Sequence, residues 1–357
     1  MLYAYTANNL GDDLFIHILC TRYPNTKFIC YAPKTYQQTF SYLHNLHIVP
    51  NDRFLNKLVH TTLKPYQKEY VIREQIARDC EIGIYIGGSL FMEQDNWKAE
   101  ARNFDSMKHC HSSFFVLGAN FGPYHSQEFL NTYKTLFQGI TDICFRDNYS
   151  KALFSDFQNI RQAADIVFQF SNATYKVEEK NQLVISVIYP SVRNNLKSFD
   201  NLYFHAIATI IIQSIKEGYN VILMGFCKEE KDDLAIDTIL SIIPKQWHHQ
   251  IQTYQYTTHL PSAIELISES SAIIATRFHA MILGLVFHKP VFPIIYSEKM
   301  KTVLEDIEFP NLYSTVQNID CVSPSQVTET FHQEPIDIHN FIQSADKQFD
   351  MLDQFLN

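Results

Sequence analysis

At 357 residues the chain is long enough for two domains of ordinary size. Its 29 Lys+Arg against 38 Asp+Glu leave a formal charge of −9, all of it in the second half: residues 1–175 balance 16 against 16, while residues 176–357 carry 13 against 22. That charge offers no cationic stripe for a nucleic-acid groove, and 46% hydrophobic with 19% charged residues excludes a disordered chain.

The opening MLYAYTANNLGDD has neither the basic region nor the apolar core of a secretion signal, and no apolar run approaches the ~20 residues of a membrane span. Seven scattered cysteines (20, 30, 80, 110, 144, 227, 321) without a C-x-x-C pair read as reduced, buried thiols of a cytoplasmic protein. Short β-rich runs are expected as strands at 2–6, 28–31, 82–86, 114–118 and 143–145, then at 184–188, 221–224, 272–275 and 291–295. Apolar residues at helical spacing fall between many of them, at 12–23, 127–137, 203–217, 261–268 and 278–287. Alternation of this kind predicts parallel α/β layers. The polar stretch 171–181 (SNATYKVEEKN) is the expected linker. We therefore divide the chain into a Rossmann-like domain over 1–175, a second over 176–330, and an amphipathic helix within 331–357 that packs on the body. Its apolar stripe comprises 338, 341, 342, 345, 349, 352 and 355, and Asp337, Asp346, Asp350 and Asp353 face away.

Six strand ends carry candidate chemistry. Asn8-Asn9-Leu10-Gly11-Asp12-Asp13 follows the first strand. Gly11 there allows a sharp turn and close ligand approach at a helix N-terminus, or Asp12 simply caps the helix. Gly87-Gly88-Ser89 ends the third strand, where paired glycines can form an anion nest, although neither nucleotide fingerprint is present. Gly118-Ala119-Asn120-Phe121-Gly122-Pro123 is a binding loop or a structural turn. Arg146, in Phe145-Arg146-Asp147-Asn148-Tyr149-Ser150, can clamp a carboxylate or phosphate, or make an Arg–Asp surface pair; Asp147 or Ser150 caps the next helix. In Thr276-Arg277-Phe278-His279, capping by Thr276 puts Arg277 and His279 in the first turn. A cation beside the positive helix end is unfavourable unless an anion joins it, which argues for a phosphate or carboxylate site. Tyr296-Ser297-Glu298-Lys299 follows the last strand, and Lys299 could neutralise the same anion. The remaining histidines lack the partners of a metal site.

In this order the motifs resemble the polysaccharide pyruvyl transferase family, from Asn8-Asn9-Leu10-Gly11-Asp12 through IGGSLF, GANFGP, FRDNYS and Ala164-Asp165 to ATRFHAMILGLVFHKPVFPIIYSEKM, across roughly residues 1–310. Two departures stand out. Ser89 replaces the third glycine of the second motif, and Ala119 stands where glutamine is usual. The resemblance implies a GT-B-like α/β fold, two Rossmann-like domains facing each other across a cleft, with the acceptor on the first and the donor on the second. It implies an enzyme that moves a pyruvyl group from phosphoenolpyruvate to two hydroxyls of one sugar, forming a cyclic ketal during bacterial surface polysaccharide (exopolysaccharide or capsule) biosynthesis. Phosphoenolpyruvate is then a co-substrate, and neither cofactor nor metal is implied.

A donor with up to three negative charges needs clustered cations. Arg277, Arg146 and Lys299, with Thr276 and Tyr296, are expected on its phosphate and carboxylate. His279 is expected to move protons: the helix dipole favours the neutral ring as a base, whereas a bound trianion favours the imidazolium as an acid. Asp12 is expected to orient an acceptor hydroxyl, and Asn9, Gly11, Gly87, Gly88, Ser89, Gly118 and Asn120 to line the cleft. The acceptor is a lipid-linked oligosaccharide or a nucleotide sugar. Residues 51–78 have six basic against three acidic side chains, with Phe54, Leu55, Leu58, Val59, Leu63, Tyr66 and Tyr70 interleaved. This stretch either touches the inner membrane face or is an ordinary helical face. The alternative functions are a nucleotide-sugar glycosyltransferase of the same fold, for which Glu265 and Glu269 are the nearest ribose-binding acids, and a non-catalytic saccharide-binding member.

Overall fold

A computed structural model describes residues 1–64, 70–171, 175 and 179–356. The chain divides into two compact units, each an α/β layer structure. The first comprises residues 1–6, 15–169 and 342–357; the second comprises 7–14 and 170–341. Both units therefore borrow from the far end of the chain, unlike the contiguous division expected from the sequence.

In the first unit seven strands form one parallel sheet: β1 (Leu2–Tyr3), β2 (Phe28–Ala32), β3 (Leu46–Pro50), β4 (Ile82–Ile86), β5 (Ser113–Ala119), β6 (Asp142–Phe145) and β7 (Ile160–Gln162), in the order β3-β2-β1-β4-β5-β6-β7. The second unit has β8 (Gln182–Ser186), β9 (Asn220–Gly225), β10 (Ile251–Gln255), β11 (Ala272–Ala275), β12 (Val291–Ile295) and β13 (Ser314–Thr315). They too are all parallel, in the order β10-β9-β8-β11-β12-β13. Each sheet runs outward in both directions from its first strand. Strand order thus reverses between β1 and β4, and between β8 and β11, and open α/β sheets bind ligands at the carboxyl ends of such a switch point.

The first unit's core is aromatic. Phe91 is 1% exposed and meets Phe104, Tyr133 and Phe137 edge to face, with centroids 5.4, 5.2 and 5.1 Å away. Burying a Phe ring contributes about 2–3 kcal/mol. That anchor pins the Gly87-Gly88-Ser89 loop, four residues or fewer upstream, to the sheet.

The C-terminal helix packs on this same unit, but as two helices, His339–Asp346 and Asp350–Leu356, joined by a tight turn over 347–349. Ala345, Phe349 and Leu352 are buried, as the stripe predicts, while Ile342 and Phe355 are exposed. Asp346 and Asp353 do not simply face solvent: both bind the Arg22 guanidinium at 2.7 Å, because Arg22 ends the helix Leu10–Arg22 against them. Gln348, wholly buried, accepts from the Gly118 N–H at 3.0 Å and donates to the Ala164 carbonyl at 3.0 Å. Gly118, expected to line a cleft, is thus covered by the chain's own C-terminal segment. No helix among the described residues is long and apolar enough to cross a membrane. All seven cysteines are free; four are buried, Cys80 and Cys110 are half-buried, and Cys321 is exposed.

Candidate functional site

In the second unit the β8–β11 ladder runs one residue past β11. The Thr276 N–H bonds the Ser186 carbonyl at 3.3 Å and the Arg277 N–H bonds the Ser186 hydroxyl at 3.1 Å. The helix Phe278–Val286 consequently starts late, with Arg277, not Thr276, as its N-cap residue. The Thr276 side chain is fully buried on the Tyr203 hydroxyl at 2.9 Å and has no part in capping.

Arg277 is 4% exposed. Its Nη1 pairs with Glu230 at 2.6 Å and its Nη2 with Asp232. Asp232 is held in turn by the backbone N–H groups of Phe226 and Cys227, at 2.8 and 2.9 Å. Glu230 also takes Arg193 Nη2 at 2.6 Å, and the Arg193 guanidinium lies 4.3 Å over the Tyr296 ring. Lys299 Nζ stands 5.9 Å from that ring and 5.3 Å from the Phe278 ring. The cation at this helix start is therefore balanced within the protein by two carboxylates. What it leaves over is donors: Arg277 Nε, Arg193 Nη1 and Ser297 Oγ are buried without a hydrogen-bond partner, and Lys299 makes no ion pair among the described residues. Leaving such a donor unsatisfied costs about 1–3 kcal/mol, which a bound acceptor group would offset.

Burial would raise the Glu230 carboxyl, but Arg277 and Arg193 override it and bring it down to about 2. A carboxyl that binds its proton less readily when folded adds stability that is complete above its unfolded value and disappears as pH falls through the folded one. The stability difference between the native protein and Glu230→Gln should therefore shrink by roughly 3 kcal/mol between pH 5 and pH 2. Urea unfolding across that range checks it; a pH-independent difference would contradict the shared Arg–Glu–Arg contact. Tyr296 is affected in the opposite sense to most buried phenols. Burial raises it, yet Lys299, Arg193 and Arg277 together outweigh both burial and Glu230, and it titrates below an ordinary tyrosine.

His279, half-buried in the first turn of its helix, packs edge-on to Phe278 with centroids 5.0 Å apart. A further neighbour comes from the start of the chain. A Cβ at Gly11 would overlap His279 Nδ1, so any other residue there would have to displace the imidazole or the backbone. The segment that brings Gly11 in is fixed by the Leu10 N–H on the Phe226 carbonyl at 3.1 Å and by a bridge between Asn9 and Cys227. Asn9 Oδ1 accepts the Gly11 N–H at 3.0 Å, so Asn9 caps the helix Leu10–Arg22 and Asp12 lies inside its first turn. Asp13 is buried and accepts from the Tyr256 hydroxyl at 2.6 Å; Asp12 beside it is half-buried. Asn9, Gly11 and Asp12, expected on the acceptor domain, count with the second unit, because their contacts are with the end of β9 and with His279.

The first unit gathers a second set. Arg146 and Asp165 form a buried pair, Nη1 to Oδ2 at 2.8 Å, and Arg146 Nη2 donates to Asn120 Oδ1 at 2.6 Å. Ser89 reaches the same Asn120 oxygen at 3.4 Å. The guanidinium lies so flat on Gly88 that a Cβ would come within 2.6 Å of Nη1. Asp147 caps the following helix by accepting the Ser150 N–H at 2.7 Å, as expected. Gly87, Gly88, Ser89, Asn120 and Arg146 are thus brought together past the carboxyl ends of β4, β5 and β6, to one side of the sheet's switch point, but Arg146's partner is the buried Asp165, not a surface neighbour.

In the basic stretch, Phe54 is 78% exposed. Arg73 is engaged by Asn103 at 2.5 Å and by the Tyr70 ring at 4.6 Å. Tyr66 and Lys68 lie outside the described residues, as do 172–174 and 176–178 of the linker. Of the two acids weighed for a ribose, Glu265 is exposed, whereas Glu269 is buried beside Lys180 at 2.5 Å. No group of three or more potential metal ligands exists among the described residues.

Two parallel-sheet α/β units with polar groups gathered past the carboxyl ends of their strands define a GT-B-like fold. The chain belongs to the polysaccharide pyruvyl transferase family, whose model matches residues 9–298. It is 21% identical over 225 residues to the amylovoran biosynthesis protein AmsJ of Erwinia amylovora, an alignment spanning 57% of this chain and 54% of AmsJ, so about half the length of that relative is matched. Its fold is similar to UDP-GlcNAc 2-epimerase from Neisseria meningitidis (TM-score 0.58, 10% identity, 99% of this chain and 98% of the other). The Methanocaldococcus jannaschii enzyme is comparably similar (TM-score 0.57, 11% identity, 99% and 98%).

Sequence reasoning missed Arg193, Glu230, Asp232 and Ser297. Arg193 follows β8 with no glycine near it, and although β9 ends on Gly225, the charged run Lys228-Glu229-Glu230-Lys231-Asp232-Asp233 after it reads as a solvated turn. Their position just past two central strands was the available clue.

Proposed function

We propose that this chain transfers a pyruvyl group from phosphoenolpyruvate to two hydroxyls of one sugar, forming a cyclic ketal in the assembly of a surface polysaccharide. The observation that carries the reading is the set of unsatisfied donors around Tyr296: Arg277 Nε, Arg193 Nη1 and Ser297 Oγ, beside the unpaired Lys299. Three cations against two carboxylates leave one net positive charge there, and buried N–H and O–H groups fixed in advance suit a phosphate or carboxylate better than a neutral ligand. His279, four residues after the end of a central strand and held against Gly11, acts as the acid/base for the acceptor hydroxyls. Asp12, in the first turn of the same neighbouring helix, orients one of them. The acceptor sugar is carried on a lipid or a nucleotide.

Thermal unfolding with phosphoenolpyruvate, and separately with nucleotide sugars, tests this. A ligand at a hundred times its dissociation constant adds about 2.7 kcal/mol. Stabilisation by phosphoenolpyruvate is expected, and Lys299→Met should lose most of it without unfolding the protein, since Lys299 leaves no carboxylate unpaired. Stabilisation by nucleotide sugars with none by phosphoenolpyruvate would overturn the pyruvyl reading in favour of glycosyl transfer.

A further inference from the structure

Resting on that reading of the donor, we propose that Tyr296 is a second proton-transfer group, which protonates the methylene carbon of the enol donor and recovers its proton from the attacking hydroxyl. Tyr296 is the first residue past β12, next to β11, whose end carries Arg277 and His279. Its ring is 8% exposed and sits among cations: Arg193 stacked at 4.3 Å, Lys299 at 5.9 Å, and Arg277 joined to Arg193 through the shared Glu230 oxygen. Its hydroxyl makes no hydrogen bond to any described residue. A tyrosine placed only to pack would find a partner for its hydroxyl or point it away from charge. Here the ring is clamped while the hydroxyl is uncommitted.

The chemistry requires such a group. Addition of a hydroxyl across an enol double bond needs an acid for one carbon and a base for the hydroxyl. At Tyr296 the O–H bond breaks as a C–H bond forms on the methylene carbon, which takes the electron pair of the double bond. The sugar oxygen then bonds to the adjacent cationic carbon, and its proton passes by way of His279 to the phenolate, restoring the phenol. When phosphate later leaves and the second hydroxyl closes the ring, His279 takes that hydroxyl's proton and hands it to the departing phosphate, and no other reactant is consumed. The groups facing the phenol set the ease of the first transfer: Lys299, Arg193 and Arg277 stabilise the phenolate against burial, while Glu230 opposes them. An ordinary phenol is a weaker acid and would protonate carbon more slowly.

Tyr296→Phe keeps the ring under Arg193 and removes only the hydroxyl. Phosphate release with whichever acceptor supports turnover should fall by about 10²-fold or more in kcat, with KM for phosphoenolpyruvate within about threefold and stabilisation by phosphoenolpyruvate retained. In the intact protein, near-ultraviolet absorbance should show one tyrosine ionising ahead of the rest. That step should be absent from Tyr296→Phe and moved upward in Lys299→Met, a signature that a packing role would not produce. Unchanged turnover in Tyr296→Phe, or no early phenolate step, overturns the assignment to Tyr296 and leaves the donor reading standing. No stabilisation of the intact protein by phosphoenolpyruvate overturns the donor reading and this inference with it.

Discussion

Replacing Arg277 with alanine is expected to lower stability by roughly 3–5 kcal/mol, the range for removing one partner of a buried ion pair. Asp232 is fully buried and its carboxyl already held up by burial despite Arg277, so without the guanidinium it either stays ionised with no cation beside it or takes up a proton, while Glu230, its side chain 28% exposed, loses one of its two arginines. Arg193 would still serve Glu230, but Asp232 would retain only the backbone N–H groups of Phe226 and Cys227. Urea midpoints should therefore rank the native protein first, Arg277→Lys in between and Arg277→Ala last, because lysine restores the charge without the fork that spans both acids. Combining Arg277→Met with Asp232→Asn, which leaves Glu230 paired with Arg193, should recover much of the loss, since the penalty is for an unmatched charge more than for a missing contact. A midpoint for Arg277→Ala equal to the native one would mean that the network contributes nothing. The same experiment separates two roles for this arginine. As a mere anion ligand, its removal would leave the unliganded protein's stability unchanged and alter only donor binding.

The fold's interior was legible from the sequence and its margins were not. All nine strands expected from β-rich runs are present, and the four that were missed, β3, β7, β10 and β13, are the outermost strands of the two sheets. An edge strand has neighbours on one side only, so its sequence need not be uniformly apolar. LHIVP carries a histidine and a proline, IQTYQ is mostly polar, and ST is two residues long. Central strands such as AIIA and VFPII are covered on both faces and read as continuous apolar runs. The unit boundaries were missed for a related reason: periodicity says nothing about which partner a segment takes, and residues 7–14 are assigned by a bridge to Cys227.

At the site, residue types were easier to find than their partners. Glycines at strand ends signalled Gly11 and Gly88, and both prove to be places where a ring or a guanidinium lies on the backbone. Arg277 and Arg146 stood out as cations at strand ends, but nothing local foretold that each already has a buried acid, 45 residues before Arg277 and 19 after Arg146. Pairing of that kind is a property of sheet order. Asp232 follows β9 and Asp165 follows β7, and both strands reach their arginine only through the fold.

Gly11→Ala should be more damaging than any helix scale suggests. Within a helix that exchange normally stabilises by about 1 kcal/mol. Here the new methyl would occupy the place of His279 Nδ1, so either the imidazole leaves its rotamer or the helix Leu10–Arg22 shifts at its start, where Leu10 is fixed to Phe226. Overpacking of this sort costs about 1–3 kcal/mol, and a proton-transfer group displaced by an ångström loses on the order of 10²-fold in rate. His279→Ala removes the obstruction. Gly11→Ala on that background should therefore recover the ordinary gain of alanine over glycine, giving a coupling of about 1–3 kcal/mol in a double-mutant cycle of urea unfolding. Gly11→Ala that stabilises the protein by itself would mean that the imidazole does not rest on this glycine, and would remove the reason for glycine at the head of the first helix.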